Sequence, residues 1–357
     1  MKNNNIEETY LRIVRNLQFI AALVTFSMFI LSFCLLSGIL SGKSWMTKPV
    51  KNNTSSKTLS NQNTEPAIPP IPEKNWWKAP DISTLPNTEE GKLIAYGRDL
   101  VSNTASYLGP KGSAMQITNG MNCKNCHLDA GTKVLGNNYS GVASTYPKFR
   151  PLSGSVETIE KRVNDCIERS LNGKALDSMS REMRALVAYM SWIGKDVPKD
   201  SLPAGVGIHA LPYLDRPASP EKGQLVYVQK CQTCHQANGE GQLNPNGITY
   251  LYPPLWGKNS YNIGAGLFRL SRFAGYVKVN MPLGATYRMP QLTDEEAWDV
   301  AAYVNCQKRP DKDLSNDWPN PFGPYEDGFS EQQHKYGPFQ PIADARKKQK
   351  EQASANK

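Results

Sequence analysis

Histidine is scarce in this chain, with four among 357 residues. A histidine standing beside a cysteine pair is therefore hard to credit to composition. Long strand-forming runs are missing too. The 27 glycines and 26 prolines break the chain into turns, which argues against an extended sheet. The formal charge of +9 comes with no helix-turn-helix, zinc-finger or RNA-binding pattern. Part of that charge lies in the tail ARKKQKEQASANK, which reads as a solvated segment. Nucleic acid is thus not an expected partner.

Charge is absent altogether from FIAALVTFSMFILSFCLLSGIL, residues 19–40. As a helix this run would reach about 33 Å, enough to cross a bilayer. A cleaved signal peptide is the alternative. The run is longer than a usual signal core and no small-x-small site follows it, so an uncleaved anchor is the expectation. Bulky Phe33 before Cys34 argues against a lipid-modified cysteine. Basic residues flank both ends, so the positive-inside rule leaves orientation open. Residues 41–75, rich in Asn, Ser, Thr, Lys and Pro, read as a flexible tether with an r.m.s. reach of about 30 Å.

Two pentapeptides carry the chemistry. CKNCH runs from Cys123 to His127, and CQTCH from Cys231 to His235. Each is C-x-x-C-H, the attachment motif for c-type haem. Cys123 and Cys126, then Cys231 and Cys234, would bond the vinyl groups of one porphyrin each. The adjacent histidine would lie under the iron. A zinc site would leave both histidines unexplained. Two covalently attached haem c groups are therefore expected. Such attachment takes place outside the bacterial cytoplasm, which would put the short N-terminus inside and the haem domains in the periplasm.

The distal ligands come from comparing the halves. VETIEKRVNDCIERSLNGKALDSMSREMRALVAYM follows the first motif. LFRLSRFAGYVKVNMPLGATYRMPQLTDEEAWDVAAYV follows the second. Aligning the closing VAYM with AAYV puts Cys166 opposite Asn280, beside Met281. Met281 is the expected sixth ligand of the second haem, with Met289 as competitor. Thr293 and Glu296 form a capping-box pattern for the closing helix. In the first half the ligand place belongs to Cys166. Met179 and Met183 are rivals that fit core packing better. A buried free thiol is the plainer reading of Cys166. A thiolate ligand would instead lower the potential and could act as a nucleophile.

The surroundings of Cys166 favour the second view. A helix over about 156–171, capped by Ser155, sets Arg162, Cys166 and Ser170 along one face. A cation one turn away lowers a thiol pKa and can hold an anion. Arg150 is a weaker second candidate for that role, and Arg169 is expected to point elsewhere.

These segments, with EEAWDVAAYVN and the closing GPYEDGFSEQQHKYGPFQPI, resemble the dihaem thiosulfate dehydrogenase / tetrathionate reductase family of cytochromes c from about Trp76 to Ile342. The resemblance implies His127 and Cys166 on an active-site haem, and His235 and Met281 on a relay haem. It implies Arg162 and Ser170 at the substrate site. The implied reaction is reversible coupling of two thiosulfates to tetrathionate with release of two electrons. The implied redox partner is a cytochrome c or a membrane quinol-linked donor. Some members carry a lysine just before the methionine; here that place is Asn280, and Lys278 is expected to face elsewhere.

The expected fold is all-α: two class I cytochrome c-like domains in tandem behind a transmembrane helix. The boundaries are a cytoplasmic N-terminus 1–18, anchor 19–40, linker 41–75, first domain 76–196 and interdomain linker 197–219. The second domain 220–310, a C-terminal strap 311–342 and a basic tail 343–357 follow. Opening helices are expected near Glu89 and Pro220. Gly91 is matched to Gly223, with a longer path to the haem motif in the first half. A non-enzymatic, membrane-tethered dihaem electron carrier is the alternative function; it has no use for a cysteine at 166. Cys306, His209 and His334 receive no role.

Overall fold

A computed structural model describes residues 75–317 other than 215, together with residues 18 and 319. The expected anchor 19–40, the tether up to 74, the strap from 320 onward with His334, and the tail 343–357 lie outside the described residues. Among the described residues, no helix is long and apolar enough to cross a membrane.

The described chain is mostly helical. Helix α1, Glu89–Ser102, starts where the Thr88 side chain accepts from Gly91 N. Glu89 and Glu90 in its first turn complement the helix dipole. Ile94, Gly97, Leu100 and Val101 form its buried stripe. A small hairpin then appears that the all-α expectation lacks. Strand β1, Lys148–Arg150, pairs antiparallel with β2, Ser155–Glu157, setting Phe149 opposite Val156 and Arg150 opposite Ser155.

Helix α2, Ile159–Arg169, follows at once. Its cap is Thr158, which accepts from Lys161 N, and not Ser155. Both residues can cap, but Ser155 is taken up by the strand, so the helix starts later than the sequence indicated. Helix α3, Arg181–Ile193, is capped by Ser180. In the second half, α4 is Pro220–Lys230, with a Ser219 cap and proline in the first turn, where its missing N–H costs nothing. A second hairpin joins β3, Gln242–Leu243, to β4, Tyr250–Tyr252. Helix α5 is Leu270–Asn280 and α6 is Asp294–Asn305, the latter opening on the expected Thr293/Glu296 capping box.

The repeat is visible in the packing. Helix α1 lies on α3, and α4 on α6, as the two most extensive helix contacts. A Cβ on Gly97 would stand 2.0 Å from the Ala185 carbonyl oxygen and 2.7 Å from Tyr189 Cβ. A Cβ on Gly223 would stand 1.9 Å from the Asp299 oxygen and 2.8 Å from Tyr303 Cβ. Only glycine permits either approach. Tyr189 and Tyr303 are the tyrosines of VAYM and AAYV, so the two crossings share the register of the sequence alignment. The counterpart of Gly223 is thus Gly97, not Gly91, which packs on the Pro86 carbonyl. Leu100, Val101, Met183, Tyr189 and Ile193 fill the first crossing at 1% exposure or less. Burying each such aliphatic side chain is worth about 1.5–3 kcal/mol.

Candidate functional site

In the first half one cavity is lined by Cys123, Cys126 and His127 together with Arg162, Cys166 and Ser170. It encloses about 1040 Å³ of atom-free space, counted out to its open mouth. Most of the remaining wall is apolar, including Leu108, Val142, Leu186 and Met190. The histidine is held in one tautomer. His127 Nδ1 donates to the Asn137 carbonyl at 2.6 Å, which leaves Nε2 with its lone pair. Burial pushes its pKa down to about 4, so the ring is neutral at ordinary pH. Tyr139 packs against the imidazole with centroids 4.5 Å apart.

Helix α2 brings the opposite wall. Arg162 and Cys166 stand one turn apart, and Ser170 is the C-cap whose N–H donates to the Cys166 carbonyl at 2.7 Å. The Arg162 guanidinium is held more firmly charged, chiefly by the Cys166 sulfur beside it. The cavity therefore combines a metal-ready imidazole, two cysteines for covalent attachment and a second sulfur next to a fixed positive charge.

The second half repeats the proximal arrangement. His235 Nδ1 donates to the Pro253 carbonyl at 2.8 Å. Burial lowers its pKa, again leaving a neutral ring with Nε2 free. Met281 is the C-cap of α5 and packs, partly buried, against the core. Met289 is 69% exposed. The two methionines thus differ in burial. Both proximal sites fit haem c: each offers paired cysteines and a histidine whose outer nitrogen is already engaged.

Comparison with known proteins agrees with this chemistry. The "SoxA/TsdA, cytochrome c domain" family model matches residues 113–198, and the "Cytochrome c" model matches residues 220–308. The thiosulfate dehydrogenase of Psychrobacter arcticus is 38% identical over 68% of this chain and 72% of its own length. That of Allochromatium vinosum is 39% identical over 65% of this chain and 83% of its own. The chain belongs to the thiosulfate dehydrogenase family of dihaem cytochromes c. A solved thiosulfate dehydrogenase (TsdBA) of Marichromatium purpuratum, in its as-isolated form, superposes with a TM-score of 0.61 at 31% identity. That match covers 66% of this chain and 50% of the other.

Arg150 is not among the residues lining the cavity; its Nε lies 3.3 Å from Oε2 of the buried Glu157. Arg169 faces away from the cavity, in a two-pronged contact with Asp317 at 2.7 Å on each arm. Lys278 is ion-paired with Asp294. The Asn280 amide donates to the Leu135 carbonyl at 3.1 Å. Met183 is fully buried in α3, as core packing requires, and Met179 is 76% exposed. His209 meets Tyr287 edge-on, and Cys306 is an exposed free thiol at the end of α6.

Tyr139, Tyr146 and Met190 are among the cavity residues that the sequence pattern did not reveal. Tyr139 and Tyr146 lie between the haem motif and β1, in a stretch with no helical periodicity. Met190 is the last residue of VAYM, read there as a helix end.

Proposed function

We propose that this protein interconverts thiosulfate and tetrathionate, two thiosulfates giving one tetrathionate and two electrons, with Cys166 as the sulfur nucleophile. His127 and Cys166 would hold the iron of the first haem, and His235 and Met281 that of the second. When bound, the haems supply one-electron acceptance, one electron each. Everything else is done by side chains. Arg162 and Ser170 bind a thiosulfate dianion beside Cys166. The Cys166 thiolate and the terminal sulfur of thiosulfate form an S–S bond and give up two electrons, leaving Cys–S–S–SO3⁻. A second thiosulfate attacks the inner sulfur of that adduct. It expels the Cys166 thiolate and departs as tetrathionate, so charge and atoms balance. In reverse, Cys166 attacks tetrathionate and expels thiosulfate, a good leaving group.

One observation carries this reading: Cys166, Arg162 and Ser170 line the same cavity as Cys123, Cys126 and His127. A purely electron-carrying protein has no need of a thiolate and a guanidinium one turn apart on that wall. Residues 19–40 are proposed to anchor the chain in the inner membrane, with the haem domains in the periplasm. A cytochrome c or a quinol-linked donor is proposed as redox partner.

The test is a dye-coupled assay of the full-chain holoprotein in both directions beside Cys166→Ala. Wild type is expected to turn over thiosulfate or tetrathionate. The variant is expected to lose at least about a thousandfold in kcat with haem content unchanged. Full turnover in the variant would remove the mechanism.

A further inference from the structure

Tyr146 stands on the cavity wall with Arg162 and Cys166, and it is almost completely buried. Cations surround it. Lys148 Nζ lies 5.2 Å from the ring centroid, and Lys199 Nζ donates to the Tyr146 carbonyl at 2.8 Å. Burial raises the pKa of its hydroxyl, and the nearby Arg162 and Arg150 guanidiniums work against that rise. Arg150 Nε in turn sits 3.3 Å from Glu157 Oε2. Glu157 is 0% exposed, and neither of its carboxylate oxygens has a hydrogen bond.

Buried carboxylates are costly unless a charge answers them. Here the answer is Arg150, so the pair is a fixed unit directly behind Tyr146. Register explains how it forms. Across the β1–β2 hairpin Arg150 faces Ser155 and Lys148 faces Glu157, so Arg150 and Glu157 are diagonal neighbours on one face. A phenol keeps its proton at neutral pH. When its oxygen accepts from a guanidinium, its own O–H remains free to donate. Tyr146 and Arg162 line the same cavity, so an anion held there would face both side chains.

We propose that Tyr146 is a further substrate-binding donor of the anion site, and that the buried Arg150–Glu157 pair positions it. This rests on the reading of the cavity as a sulfur-oxyanion site. It gives Arg150 a role from its place behind the wall, one layer removed from the substrate.

The test uses the full-chain holoprotein with thiosulfate and a one-electron dye. Tyr146→Phe keeps the ring and removes the hydroxyl. The KM for thiosulfate is expected to rise about tenfold, as for loss of a hydrogen bond to a charged group. The kcat is expected to move by less than about threefold. The haem absorption spectrum and Tm should not change. An unchanged KM overturns the proposal. A KM rise accompanied by an altered spectrum and lower Tm also overturns it, in favour of a packing role. Glu157→Gln is expected to raise KM in the wild-type background and to add little to Tyr146→Phe. Equal increments in both backgrounds would overturn the positioning role. Calorimetric titration of the fully reduced protein with thiosulfate reads Kd without turnover, because both electron acceptors are already filled. An equal Kd in wild type and Tyr146→Phe sinks the Tyr146 assignment while the activity can stand. A tenfold weaker Kd in Tyr146→Phe, with no turnover by wild type, supports Tyr146 and overturns the proposed reaction alone.

Discussion

Helices α2 and α5 hold the same place in the two halves, before the closing helix, but they are packed differently. Only Val163, Asp165 and Ile167 of α2 are buried. Val163 and Ile167 line the cavity together with Arg162 and Cys166. In α5, Leu270, Phe273, Ala274, Gly275, Tyr276, Val277, Val279 and Asn280 are all buried. A helix that is apolar nearly all round must be covered on every side. The first half supplies part of that cover. Tyr276 Oη donates to the Asn125 carbonyl inside the first haem motif at 2.9 Å. A Cβ on Gly275 would come within 1.8 Å of the His209 carbonyl oxygen. Helix α5 is therefore covered nearly all round, in part by the first half, while α2 contributes Arg162, Cys166 and Ser170 to a cavity wall.

Making the two halves alike is the strongest way to break this comparison. Cys166→Met gives the first half the thioether of the second and removes the nucleophile. Turnover is expected to fall at least about a thousandfold in the dye-coupled assay. The potential of the first haem should rise, because a thioether donates less charge than a thiolate. Retained turnover would place the alternative reading, a tethered electron carrier, ahead of the enzymatic one. A smaller effect is expected in the second half. Met281→Ala should alter the absorption of the second haem and slow turnover by about tenfold through poorer electron exit. Met289→Ala, at an exposed position, should leave both unchanged. If Met289→Ala instead gives the spectral change, the ligand of the relay site is the other methionine.

Much of this was readable beforehand because it is local in the chain. The haem motifs, the Thr293/Glu296 capping box and the VAYM/AAYV register all depend on residues a few positions apart. Gly97 and Gly223 show where that ends. Both lie at helix crossings, and the sequence chose Gly91 as the partner of Gly223 because it stands at the matching point of its helix start. The crossing distance, which selects Gly97, is a tertiary quantity. The same limit applies to Ser155. Its capping chemistry is sound, but pairing with Arg150 across a hairpin won, and Thr158 took over three residues later. Tyr146 and Glu157 were invisible for a related reason. Neither belongs to a periodic segment, and a buried carboxylate cannot be told from a solvated one until Arg150 is placed beside it.

The join between the halves gives the smallest expected effect and the sharpest limit on the comparison. Arg169 follows Cys166 by less than one helical turn, yet it serves a different purpose. Its guanidinium grips Asp317 at 2.7 Å on both arms, and its carbonyl accepts from Asn262 N at 3.0 Å. The Asn262 side chain also donates to the Glu168 carbonyl at 2.9 Å. The end of α2 is thereby fixed to the second half and to the chain beyond α6. Both charged groups are only 15% and 12% exposed, so salt should screen this pair weakly. Arg169→Gln is expected to lower stability by about 2 kcal/mol, measured by denaturant unfolding of the full chain. Asp317→Asn should add little in that background, since the same interaction is already gone. The KM for thiosulfate should stay constant. A KM shift as large as that of Tyr146→Phe would mean that the second half acts on the cavity wall through this clamp, and the two halves could no longer be treated as separate in function.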